Sequence, residues 1–500
     1  VTSIESILVF ALMASPARAA ASPQLDRLIV CDDVQDPLTL DPHKEFSEKN
    51  HILLQQIYEG LVRFGPQGQI EPALALSWEQ RDPVTMRFHL RGNVRFHNGE
   101  PFDAEAVKAS IERILDPRTK NPAIGFVNSL ARVDIVDPLT VDVVTQYPDG
   151  ILLNRLAWTV PIIPPRYLRE VGEEKFAQAP IGTGAFQFVR WEKGERIVLK
   201  ANSDYWMTGY PKLHELIFRF TPEDKKLAAL FNGDIDLVTN IPGTETLQVQ
   251  SHPGTKIIKS KTFFTAFAGL NISTGPFSDV RVRKAVNLAV DKNSLIRYDL
   301  LGNGAIISTL SMPGEIGHDP DIRPYAYDPT KARALLKEAG YGKGFTVLAG
   351  GNVNAERTAK IIAVDLAKVG ITVKLNLSAD SKMLEDFKNH AYGMIFGGVP
   401  DPMAHTFFIQ SIVLYSKSPY CLSKNPAYDA LLEKMITTID DGKRESLARD
   451  LDRYIYDNAL DIFTYQRIQT HAARKNLKFT PYVNGFPYFY ATEYEKTPTQ

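Results

Sequence analysis

Two cysteines in 500 residues, Cys31 and Cys421, are too few for a disulfide framework or a Cys-rich zinc site. They stand at opposite ends of the chain, and two free thiols are expected. An excess of charge is missing as well. The 57 Lys and Arg nearly balance the 58 Asp and Glu, for a net charge of −1. That leaves no global field to gather polyanions, and nucleic acid is not an expected partner. Beyond the first twenty or so residues no run reaches the roughly 18 uninterrupted apolar residues that a membrane-spanning helix needs. Catalytic signatures are absent too: the chain has no HExxH, no GxSxG and no GxxxxGK[ST]. Gly182-Thr183-Gly184 opens like a phosphate loop, but Gln187 stands where a dinucleotide fingerprint needs its third glycine. A tight turn with positive φ is the expected role of those glycines. A long chain without a recognisable reactive centre is expected to bind something rather than transform it, with no catalytic residue, metal site or cofactor.

What is present points to a large two-lobed α/β protein. The chain is 44% apolar and 23% charged, and its length exceeds what a single core needs. Residues 4–13 are mostly apolar and are followed by Ala17, Ala19, Ala20 and Ala21, a pattern that reads as an export signal over 1–21. Strand and helix patterns then intermix throughout, as in an α/β fold. Met86, Phe88 and Leu90 alternate with Arg87 and His89, and Val94 and Phe96 continue the pattern after Gly92-Asn93, which predicts a hairpin with one wet face. Asp103 is placed to cap a helix carrying Ala106, Val107, Ile111 and Ile114. Asp279 opens another, with Val282, Ala285, Val286, Ala289 and Val290 at helical spacing. Asp328-Pro329 starts a third that Gly340 ends. A helix over 357–369 stops at Gly370, and Ile371, Val373, Leu375 and Leu377 follow as a strand.

The ten histidines carry no metal spacing. His89 and His97 fall on the polar face of the expected hairpin, which accounts for them as solvated residues. His43 with Glu45, and His405 near Asp401, lack a second histidine at helical spacing. Aromatic residues make up 10% of the chain and gather near expected loops, at Trp158, Trp206, Phe263-Phe264, Phe396 and Phe407-Phe408. Most belong in cores, and some should wall a solute cleft.

Several local patterns, taken in order, resemble the family 5 extracellular solute-binding proteins of ABC importers, the peptide, nickel and opine receptors. They are Leu40-Asp41-Pro42, Ile57-Tyr58-Glu59-Gly60-Leu61, Asn98-Gly99-Glu100-Pro101-Phe102 and Pro180-Ile181-Gly182-Thr183-Gly184-Ala185-Phe186. Tyr205-Trp206, Gly233-Asp234-Ile235-Asp236 and Asp279-Val280-Arg281-Val282-Arg283-Lys284-Ala285 continue the series. The resemblance implies an α/β type II periplasmic-binding fold. Lobe I would hold 22–265, with an inserted subdomain over about 59–175; lobe II would hold 266–469, and 470–500 would return to lobe I. Segments 264–270 and 469–474 would cross between the lobes.

The same resemblance implies a periplasmic, monomeric receptor that captures a small solute or short peptide between its lobes and passes it to an inner-membrane ABC permease. Peptide-binding members carry an aspartate three residues before an Asp-Pro or Glu-Pro pair, where it meets the peptide's α-ammonium. Here the pair is Asp401-Pro402 and the matching residue is Gly398. Nickel-chelate receptors have a histidine directly after Asp-Pro, where this chain has Met403. The solute is therefore expected to have a blocked, absent or differently placed amine, as in a modified peptide, an opine-like conjugate or a sugar derivative. The expected cleft residues are Phe46, Met312 in the 311–313 turn, Phe396, Gly398, Asp401, Met403 and His405. The alternative is an exported hydrolase of peptides or sugars with Asp401 and Glu45 as an acid/base pair.

Overall fold

The computed structural model describes residues 26–31, 36–45, 47–389 and 391–495. The expected export signal and Phe46 lie outside them. The helices begin where the sequence offers a side-chain acceptor. Asp103 accepts from the amide of Ala106 at the head of Ala104–Leu115, Asp279 from that of Arg281 ahead of Val280–Ala289, and Asp328 from that of Lys331 ahead of Pro329–Glu338. Each such cap satisfies an orphan amide and contributes about 1 kcal/mol. Gly340 and Gly370 end their helices at φ of +89° and +90°, a conformation that glycine adopts without a Cβ clash.

Among the described residues eleven strands build the main sheet. They are β1 (Arg27–Cys31), β2 (Phe186–Glu192), β3 (Arg196–Ala201), β4 (Glu215–Arg219), β5 (Leu237–Val238) and β6 (Thr255–Leu270), then β7 (Gly304–Ile306), β8 (Phe345–Asn352), β9 (Ile371–Ser378), β10 (Met394–Pro400) and β11 (Asp461–Arg474). Their order is β9-β8-β10-β6-β11-β5-β1-β4-β3-β2, with β7 on the side of β11. The long strands β6 and β11 run antiparallel through the middle. Their register shifts between Lys261 and Thr265 and again before Phe267. Below this irregularity Ile257 and Lys256 pair with Ala472 and Ala473, where β5 joins β11. Above it β10 flanks β6 from Phe264 to Leu270. One sheet thus serves two lobes, and the strand pair that joins them is least regular between them.

In the second lobe Val282, Ala285, Val286 and Ala289 pack with Ala332, Leu336, Ile362 and Leu366 against Ala349 and Phe396. Burying one such larger aliphatic side chain contributes roughly 1.5–3 kcal/mol. The 357–369 helix expectation is met by Glu356–Ala367, and the strand after it is β9, parallel to β8. The first lobe carries a short hairpin, Val62–Phe64 with Ile70–Pro72, and a separate four-stranded sheet. That sheet has the order Ala75–Asp82, Thr85–Leu90, Thr140–Thr145, Leu130–Asp137.

Three expectations change here. Thr85–Leu90 pairs with Ala75–Asp82 and Thr140–Thr145, so 91–96 is not its hairpin partner. The alternation did identify the buried face, because Met86, Phe88 and Leu90 are inside and His89 is exposed. His97 is not a solvated strand residue: its Nε2 lies 2.9 Å from the carbonyl of Gly184, and burial lowers its pKa to about 4. Gly182 and Gly184 have no positive φ. They are glycines because a Cβ would stand 2.0 Å from the Ile57 carbonyl oxygen and 2.4 Å from that of Gln56. Cys31 is buried in β1, Cys421 lies partly exposed, and no disulfide joins them. Among the described residues no helix is long and apolar enough to cross a membrane.

Candidate solute-binding site

Strand β10 ends at Pro400, and the chain turns sharply through a loop that Asp401 organises from within. Its carboxylate accepts from the amides of Met403 (2.7 Å) and His405 (3.0 Å), while its own amide donates to the carbonyl of Phe263 on β6. Ala404 takes φ +52°, which this short turn requires. Asp401 is fully buried beside Glu315, whose carboxylate accepts from the Met312 amide at 2.6 Å. Burial first, and the neighbouring Asp401 charge second, push the Glu315 carboxyl well above its usual range; burial also raises Asp401 to about 7. Two carboxylates cannot both ionise in a dry site, so Glu315 keeps a proton that it can share with Asp401. His405 is held neutral by burial, with a pKa of about 3, and its Nδ1 accepts from the Phe407 amide.

The first lobe clasps this loop. Asn154, on the helix Leu152–Thr159, donates from Nδ2 to the Met403 carbonyl at 2.8 Å. The next residue, Arg155, places its guanidinium carbon 4.9 Å from the centre of the Phe407 ring, ion-pairs with Asp149 at 2.9 Å and donates to the Phe126 carbonyl. Phe126 stacks on Phe408 with centroids 5.3 Å apart. At the tip of the short hairpin a Cβ on Gly68 would come within 2.9 Å of the Ala404 Cβ and 3.0 Å of Phe263. Behind this contact the first lobe holds a cavity of about 50 Å³ lined by His51, Glu59, Asn121, Trp158 and Tyr488, among others. His51 lies 3.9 Å from the Trp158 ring centre, and burial lowers its pKa to about 3.

A second crevice, of about 310 Å³, lies between the lobes beside the joining strand β11. The first lobe contributes 240–244 after β5, and the second contributes Asp299, Asn303, Arg357 and Arg467. The lobes meet closely here, since a Cβ on Gly243 would stand 2.8 Å from Asn303 Nδ2. The Arg467 guanidinium carbon lies 4.4 Å from the centre of the Phe264 ring. That ring in turn covers Gly398, where a Cβ would meet its Cζ at 2.8 Å.

The expected cleft residues therefore separate. Gly398 is exposed at the end of β10. Asp401, Met403 and His405 form the clasped loop, with side chains turned inward, and Met312 is buried beside it. Phe396 is 1% exposed and pairs with Ala268 in the second core, so its ring belongs to the fold rather than to a cleft surface. Asp401 faces Glu315, whereas Glu45 accepts from Ser47 and Asn50 in the first lobe. The acid/base pair of the hydrolase alternative is not assembled. Asn154, Arg155, Arg357 and Arg467 were missed; their types recur all along the chain, and only tertiary placement distinguishes them.

Two lobes on one continuous sheet, joined by two strands and closing over a loop at the carboxyl end of β10, define a two-lobed solute-binding protein. Residues 69–418 match the family described as bacterial extracellular solute-binding proteins, family 5 middle. The chain belongs to this family, whose members deliver captured solutes to ABC transporters. The glutathione-binding protein GsiB of Pectobacterium atrosepticum is 26% identical over 449 residues, covering 85% of this chain and 86% of that protein. The periplasmic binding protein DppA from Helicobacter pylori, in complex with the peptide STSA, is 26% identical with a TM-score of 0.77, covering 94% of this chain and 98% of that one. AgaA from A. tumefaciens R10, in complex with agropinic acid, is 27% identical with a TM-score of 0.76, covering 94% and 99%. The relatives are binding proteins, and the family is extracellular or periplasmic.

Proposed function

We propose that this protein is a monomeric periplasmic receptor for a peptide-like conjugate, of the modified-peptide or opine type, which it holds between its lobes without covalent chemistry and hands to an inner-membrane ABC permease. Residues 22–265 with 470–500 act as one lobe, carrying an inserted subdomain over about 59–175, and 266–469 act as the other. The observation that carries this reading is the 401–408 loop of the second lobe held by Asn154 and Arg155 of the first, so that closing the lobes and ordering the loop are one event. A solute that contacts both lobes then stabilises the closed form by its differential affinity for it. The glutathione, peptide and opine ligands in the names of the relatives support the solute class.

Gly398 supports the finer point. A buried ammonium without a carboxylate costs several kcal/mol, so the end of β10 does not favour a free α-amino group. Calorimetric titration with glutathione and with Ala-Ala-Ala, free and N-acetylated, tests both parts. The expected result is saturable one-to-one binding, no loss on N-acetylation, and ligand recovered unchanged. Micromolar binding of the free tripeptide that disappears on acetylation would show that another carboxylate anchors the amine. Turnover of any probe would contradict the receptor reading itself.

A further inference from the structure

We infer that the interlobe crevice of about 310 Å³ is an acid-binding subsite, in which Arg467 and Arg357 take a carboxylate of the solute. This deepens the receptor reading above and rests on it. Arg467 stands on β11 just where the register of the joining strands is irregular, and Arg357 lies in the first turn of Glu356–Ala367. Both side chains line the interlobe crevice of about 310 Å³, facing 240–244 of the first lobe. Among the described residues neither guanidinium is ion-paired. Such pairing is the usual fate of an arginine in a protein crevice, and two unpaired guanidinium forks in one crevice fit the planar geometry of a carboxylate.

The acids in the crevice do not cancel this charge directly. Asp299 Oδ2 is engaged by the hydroxyls of Thr358 and Tyr465, the latter at 2.8 Å. Glu223, on the first lobe, is mostly exposed and ion-pairs with Lys226. Phe264 completes the subsite. Its ring stands between the Arg467 guanidinium, 4.4 Å from the ring centre, and Gly398, the position to which the family resemblance assigns an aspartate in peptide-binding members. The charge here is thus inverted, and it selects an acid where those receptors select an amine.

The test is titration of the full chain with reduced glutathione and with its diethyl ester, in the unaltered protein and in Arg467→Gln, Arg467→Lys and Arg357→Gln, with melting temperatures recorded for each. The proposal expects the acid to bind the unaltered protein at least about tenfold more tightly than the ester, Arg467→Gln to remove most of that preference, and Arg467→Lys to restore part of it. Arg357→Gln should weaken the acid alone, with its melting temperature unchanged because the side chain is exposed on a helix surface. Equal binding of acid and ester, an undiminished preference in both Gln variants, or failure of the acid to bind would overturn the proposal. Ester binding with compaction in X-ray scattering would leave the receptor reading standing without the subsite. No binding and no compaction with either probe would count against both.

Discussion

Asn154, on the helix Leu152–Thr159, donates a 2.8 Å hydrogen bond to the carbonyl of Met403, a residue 249 positions further along the chain. Both groups are buried, so a lobe that moves away must leave a carbonyl to be rehydrated, and the bond acts as a latch on the closed form. Removing it with Asn154→Ala should shift the population toward the open form by about 1 kcal/mol. Solute affinity should fall a few-fold, and scattering should report a larger radius of gyration at subsaturating solute. An unchanged radius and affinity would mean that the Phe126–Phe408 and Arg155–Phe407 contacts hold the lobes without it.

Phe396 is surrounded by the second core, and its loss should be felt there. Phe396→Ala is expected to cost roughly 3–5 kcal/mol of stability, read as a marked drop in melting temperature, with the affinity of the folded fraction little changed. A variant of normal stability that no longer binds would return this residue to the cleft wall.

The sequence showed its helices more fully than its site, and the reason is the range of the interactions. Asp103, Asp279 and Asp328 cap amides two or three residues away, so their roles can be read locally. Gly182 and Gly184 are set by the approach of Ile57 and Gln56, more than a hundred residues distant, and a turn rule assigns them the wrong cause. His97 is partly buried against the Gly184 carbonyl, a partner 87 positions away. At the site, the Asp401-Pro402 pair marked the loop but suggested a cleft contact rather than the inward-facing organiser that Asp401 is, and its partner Glu315 carried no local signal. The Arg467 side chain faces the crevice through a register shift in β6 and β11, which strict alternation does not foresee.

Introducing the aspartate at Gly398 should change both fit and preference. The new Cβ meets the Phe264 ring at 2.8 Å, so that ring must move and the melting temperature of Gly398→Asp should fall modestly. The carboxylate would then stand near the Arg467 guanidinium and compete with an acidic solute. Titration should show weaker binding of glutathione and stronger binding of Ala-Ala-Ala; no change in either affinity would place the solute elsewhere.

Three buried aspartates make stability depend on pH. Burial raises Asp461 to about 7, Asp401 to about 7 and Asp452 to about 6, against about 3.9 in the unfolded chain. Between about pH 4 and 7 the native state keeps protons that the unfolded chain has released. The stability they contribute is therefore full below pH 4 and is lost as pH rises through 7, at roughly 1 kcal/mol per pH unit for each proton. His43, His51, His97, His405 and His471, lowered by desolvation to about 3–4, oppose this trend as pH falls below 6.5. A single substitution isolates one acid. Relative to the unaltered protein, Asp461→Asn should gain stability steadily from pH 4 to 7, and a difference independent of pH would show that Asp461 is ionised in the native state.

In the receptor reading the lobes close on a solute and do nothing else to it. Native mass spectrometry of the freshly purified protein, followed by denaturation and mass analysis of what is released, tests this most directly. One small molecule is expected per chain, bearing at least one carboxylate, released intact and able to rebind the emptied protein with compaction in scattering. A released molecule that the protein converts on rebinding, or one that binds without any change in shape, would contradict it.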